Sequence, residues 1–176
     1  MITYIIAAIV GLLVIGADQY TKYIVSTNFA DSGSFPLIPR VINIEFLEND
    51  GIAWGMLPDK TWLHLSVTAV VMLICVALIL KHGTKNKLLF WAMILVLSGG
   101  LGNMIDRIFR GGHVVDFLQF DFWKSYPVFN LADCAIVIGA GLLILYFVMD
   151  LFKEYKNKIR KPAPKDGPED KDGKDE

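Results

Sequence analysis

Two aspartates carry the chemistry that this sequence offers. Asp116 lies in His113-Val114-Val115-Asp116-Phe117 and Asp133 in Phe129-Asn130-Leu131-Ala132-Asp133, each beside long apolar runs. Carboxylates are costly there, which makes them candidate functional groups. Just upstream, Gly99 to Arg107 puts an amide, a carboxylate and a guanidinium into another apolar run. On a helix, Asn103, Asp106 and Arg107 share a face through their i, i+3 and i, i+4 spacing. Two close carboxylates cannot both ionise cheaply, so they share a proton. One then activates water while the other protonates a departing amine. That is peptide hydrolysis without a cofactor.

Other chemistries fit less well. Ser98 has no suitable base in its run, and His64, His82 and His113 are dispersed rather than paired as zinc ligands on a helix. Cys134 could be drawn with His113 as a thiol pair, but it points about 100° around the helix from Asp133. Asp133 also has a structural reading. Asn130, followed three residues later by Asp133 before an apolar run, matches a helix N-cap with an acidic N3 partner. Asp18 and Lys22 are spaced for an i, i+4 ion pair, serving either as an interfacial salt bridge or as support for a site.

The elements that must position these groups are mostly membrane spans. The chain has 176 residues, enough for one domain, and is 54% apolar. Its mean hydropathy of +0.47 arises from blocks of apolar residues. The expected fold is a mainly α membrane protein with four transmembrane helices, at about 2–24, 62–80, 88–109 and 131–149. The run from Ile2 to Ala17 lacks the basic start and the small-residue cleavage site of a signal peptide, so it reads as the first span. Ser98 and Gly102 have the spacing of a close helix contact, for packing alone or packing that also admits a substrate.

Between the first two spans, residues 28–61 form a small β-rich extracytoplasmic element resting on the membrane. Ile42, Ile44 and Phe46 alternate with Asn43 and Glu45 as a half-buried strand, and Asn49-Asp50-Gly51 reads as a turn. Trp54 and Met56 suit the headgroup zone. His64 reads as interfacial, and residues 111–129 as a polar-aromatic connection. Residues 1–152 make a single domain. From Lys153 to Glu176 the tail is basic and then acidic, reads as disordered, and is cytoplasmic. Cys75 and Cys134 read as buried small hydrophobes.

The net charge of -1 and the lack of a basic stripe give no sign of nucleic acid. The lysines at 81–87 and those after 152 place both termini in the cytoplasm. Every polar cluster in the spans then converges at one depth on the outer face. A proton or cation carrier would instead need polar groups near mid-depth on several helices, whereas the first span is apolar until Asp18 and the second beyond His64. A non-catalytic membrane scaffold remains a further alternative.

Five stretches in order resemble one family. They are Asp18-Gln19-Tyr20-Thr21-Lys22, Asn49-Asp50-Gly51-Ile52-Ala53-Trp54-Gly55, Gly99 to Arg107, Val114-Val115-Asp116-Phe117 and Phe129-Asn130-Leu131-Ala132-Asp133. From Ile2 to about Met149 the chain resembles lipoprotein signal peptidase (signal peptidase II), a bacterial inner-membrane aspartyl protease. The resemblance implies that Asp116 and Asp133 are the catalytic pair. Asn103, Arg107 and Asn130 would line and orient the site, with Asp18, Lys22, Asn49 and Gly51 supporting it, and Asp106 or another carboxylate would hold Arg107. Thr21 and Trp54 stand where the family has Ser and often Phe. The implied partners are lipidated prolipoproteins, cleaved before a diacylglyceryl-modified cysteine, and membrane lipid. No metal, other cofactor or obligate protein partner is implied.

Overall fold

The computed structural model describes residues 1–51 and 60–160. Trp54, Met56 and the acidic end of the tail lie outside the described residues. Four long apolar helices are present: α1 (Ile2–Asn28), α2 (Thr61–His82), α3 (Lys87–Phe109) and α4 (Leu131–Arg160). All four are long and apolar enough to cross a membrane. α3 is the enclosed member, burying Leu89, Phe90, Ala92, Met93, Val96 and the polar residues near its end. α1, α2 and α4 keep Leu12, Leu13, Leu73, Ile144 and Phe147 exposed, an apolar girdle suited to lipid.

Small residues let these helices approach. A Cβ on Gly102 would stand 2.7 Å from an Asp18 carboxylate oxygen and 3.1 Å from the Ala132 Cβ. A Cβ on Gly99 would run into the Ala132 carbonyl oxygen. Glycine at these positions therefore brings α1 and α4 against the same end of α3. Asn86 caps the start of α3 by accepting a hydrogen bond from the Leu89 amide at 3.0 Å.

The extramembrane element is a three-stranded antiparallel sheet in the order β1 (Phe35–Ile38), β2 (Ile42–Asn49), β3 (Val114–Phe120). β1 is an edge strand that tolerates Pro36, and Arg40 takes a left-handed φ of 66° in the β1–β2 turn. β3 lies within the stretch expected as a polar-aromatic connection. Its successive residues from 114 to 117 point to opposite sides: Val115 and Phe117 pack with Val25 and Ile44, while Val114 and Asp116 face a cavity on the other side. The register of β2 against β3 is interrupted between Ile44 and Leu47. Asn43, expected on a polar face, is buried and donates to Asp121 at 3.2 Å.

Other departures are local. α4 continues through Lys153 to Arg160, so the expected start of a disordered tail falls within a helix. A run of Leu, Phe, Tyr, Lys and Glu has good helix propensity, which tail composition alone obscured. Cys75 is buried, whereas Cys134 is only half-buried, and both thiols are free.

Candidate functional site

The site is assembled by a short bridge. Phe129 pairs with Leu118 of β3, accepting from the Phe117 and Leu118 amides at 3.0 and 2.8 Å and donating back to Leu118 at 2.9 Å. This pins the residue before α4 alongside the strand that carries Asp116. Asn130 is consequently fully buried between the two aspartates. Its Nδ2 donates to Asp116 Oδ1 at 2.6 Å, and its backbone amide donates to Asp133 Oδ2 at 3.1 Å. The Asp133 amide returns a hydrogen bond to Asn130 Oδ1 at 2.9 Å. Asn130 and Asp133 thus form a reciprocal capping box, and Asp133 also lines the cavity. The cap and the cavity-lining position coexist in one carboxylate.

Amides hold the remaining carboxylate oxygens. Asn49 Nδ2 donates to Asp116 Oδ2 at 2.8 Å, while Asn49 Oδ1 accepts from the Gly51 amide at 2.9 Å, which fixes the orientation of the amide. Asn103 Nδ2 donates to Asp133 Oδ1 at 2.8 Å. Asn103 Oδ1 accepts from the Lys22 ammonium at 3.0 Å and from Asn130 at 3.1 Å, so its orientation is fixed as well. Burial pushes the Asp116 carboxyl up to about 7, and the neighbouring Asp133 charge adds to the rise. The Asn49 and Asn130 hydrogen bonds and the Lys22 charge pull it in the opposite direction.

Beneath this pair lies a second network, joined to it through Asn103. Lys22 is fully buried, and its three N–H donors are matched by Asp18 at 2.8 Å, Asp106 at 2.9 Å and Asn103. Asp106 also accepts from Arg110 at 3.2 Å and from the Val115 amide at 3.2 Å. Asp18 accepts from the Ala132 amide at 2.9 Å, tying α1 to the first turn of α4. Gln19 donates to both Asp18 and Asp106. Two carboxylates facing two cations give no net charge, the condition under which buried ions are tolerable.

Asp18 and Lys22 are therefore interior groups, beyond a simple interfacial pair. Arg107 differs from expectation too. Asp106 turns to Lys22 and Arg110, and Arg107 Nη2 donates instead to the Gly51 carbonyl at 3.0 Å. The i, i+4 spacing of Asp106 and Arg110 was the missed signal. Gln19 had no such spacing to mark it.

The cavity has a volume of about 440 Å³ and is lined by Asn49, Gly51, Asn103, Arg107, Asp116 and Asp133 together with apolar residues of α2, α4 and the segment before it. His64, expected at an interface, is buried on its wall. All ten expected site residues meet at one end of the bundle. Six of them line the cavity, and Asn130, Asp18, Lys22 and Asp106 lie behind it. Such an arrangement can hold a peptide strand against two carboxyl groups that differ in environment.

Comparisons with known proteins bear on the family and the fold. Residues 10–149 match the family model described as signal peptidase (SPase) II. A lipoprotein signal peptidase of Halalkalibacterium halodurans is 37% identical over 159 residues, covering 90% of this chain and 99% of that protein. One from Bacillus pumilus is 40% identical over 143 residues, covering 81% and 92%. Two solved structures, described as bacterial membrane enzymes determined by the in meso method at 2.3 and 1.9 Å resolution, are similar in fold. Both are 34% identical, with TM-scores of 0.77 and 0.74; they cover 89% and 82% of this chain, and 93% of each solved chain is covered. The chain is a multi-pass membrane protein that belongs to the signal peptidase II family.

Proposed function

We propose that this protein is an aspartyl endopeptidase that removes the signal peptide from lipidated prolipoproteins, cutting before a diacylglyceryl-modified cysteine. The observation that carries this reading is the shared cavity: Asp116 and Asp133 both line it, and both are hydrogen-bonded to Asn130. The elevated Asp116 pKa near 7 supports a pair holding one proton at neutral pH. The ionised member takes a proton from water as the oxygen attacks the scissile carbonyl. The protonated member gives its proton to the amine that leaves when the C–N bond breaks. Asn49, Asn103 and Asn130 keep the carboxyl groups oriented, and Arg107 braces the Gly51 segment while lining the cavity.

The names of the relatives supply the substrate class, and the apolar girdle exposed along α1, α2 and α4 supports it. A lipidated peptide would arrive by lateral diffusion with its acyl chains in the bilayer. The lysines at 81–87 and at 153–158 support cytoplasmic termini in a bacterial inner membrane, which puts the site on the extracytoplasmic side. The test is cleavage by the purified protein in detergent, using one precursor with and without its diacylglyceryl group. The lipidated form should be cut and the unlipidated form left largely intact; equal cutting of both, or of neither, would contradict the proposal.

A further inference from the structure

His64 sits in the first turn of α2, on the wall of the cavity that holds the two aspartates. It is 5% exposed, and neither ring nitrogen has a hydrogen-bond partner among the described residues. Among the described residues nothing offsets the desolvation penalty that a buried imidazole bears. The aspartates and the amides of Asn49 and Asn103 are, by contrast, satisfied within the protein. Leu63 and Val67 flank His64 on α2, Ile136 and Val137 also line the cavity, and the charged groups that act on the imidazole are Arg107 and Asp50.

A peptide drawn into this cavity brings main-chain N–H and C=O groups that lose water and need partners. Apolar walls supply none. An imidazole carries a donor at one nitrogen and, when neutral, an acceptor at the other. Its terminal torsion is broad, so the ring can turn one edge towards an entering chain. We propose that His64 is a substrate-contacting residue, whose imidazole hydrogen-bonds the main chain of the peptide bound beside Asp116 and Asp133. This rests on the peptidase reading above. It assigns a role to a residue of α2, which among the described residues contributes no group to the carboxylate and amide networks.

The test combines steady-state cleavage of a lipidated precursor in detergent with thermal unfolding of the same preparations. Three proteins are compared: the unsubstituted chain, His64→Leu and His64→Gln. Removing an unpartnered polar group should leave the melting temperature of His64→Leu equal to or above that of the unsubstituted protein. Its KM should rise about tenfold with kcat within about twofold, the pattern of a lost binding contact. His64→Gln, which keeps a donor and an acceptor, should recover KM to within about threefold.

Unchanged KM in His64→Leu would overturn the proposal. So would a marked fall in its melting temperature, which would place the imidazole in the fold rather than against substrate. Failure of the unsubstituted protein to cleave would instead sink the peptidase reading and this proposal with it. Cleavage by the unsubstituted protein together with an equally efficient His64→Leu would sink this proposal alone.

Discussion

Arg107 donates one hydrogen bond from an arm of its guanidinium to the Gly51 carbonyl, and its buried Nε has no partner among the described residues. The planar fork can thus brace the Asn49–Gly51 turn and still offer a donor to substrate. Arg107→Lys retains charge but loses that fork. Its kcat/KM should fall by about tenfold or more, the scale of one lost charge-assisted hydrogen bond, with normal membrane insertion; near-normal turnover would make Arg107 a simple anchor. Asp116 predicts a pH response of definite sign. Its folded pKa is raised from 3.8 to about 7. The stability it contributes is therefore complete below the unfolded value and is lost as pH rises through about 7. Thermal unfolding of the unsubstituted protein should show a decline in stability from pH 5 to pH 8 that is absent or reduced in Asp116→Asn. Equal slopes would mean that the carboxyl titrates normally.

At the scale of elements, the spans were legible because long apolar blocks leave few alternatives in water or lipid. The ends of α2 and α3 fall within about two residues of expectation. β3 was not legible as a strand: seven residues with aromatic and β-branched character, lying between glycines and a polar turn, gave no partner to pair with. That partner, β2, lies far back in the chain and is found only through tertiary contact. The candidate site residues, which the fold brings together, were legible through their type and spacing, and through family resemblance. The bonds between them were not, since Asp106 could equally have reached Arg107. Gly102 tests how tightly these elements must approach. A methyl group there meets Asp18 and Ala132 at once, so Gly102→Ala should destabilise the protein by about 1–3 kcal/mol and lower activity. Unaltered unfolding and activity would show that α1 and α4 can move apart freely.

Across the whole molecule, one enclosed helix gathers three lipid-exposed helices and a sheet around a cavity at the end of the bundle. The polar interior is concentrated there, which distinguishes the arrangement from a path across the membrane. Among the described residues no three His, Cys, Asp or Glu side chains gather as a metal site, and amides rather than further ligands surround the aspartates. Cleavage should therefore persist in EDTA; loss of activity that zinc restores would contradict a carboxylate mechanism. The most direct measurement is turnover of lipidated precursor by Asp133→Asn, Asp116→Asn and the double variant. Asp133 accepts two donors, so an amide in its place must set one N–H against another. A stability loss of about 1–3 kcal/mol is expected for that mismatch, with the protein still inserted and folded. Each single variant should show almost no cleavage, and the double variant should be little worse, because the two carboxyl groups act as a unit. Substantial cleavage by folded Asp133→Asn at neutral pH would leave Asp133 as a helix cap and contradict the two-aspartate mechanism.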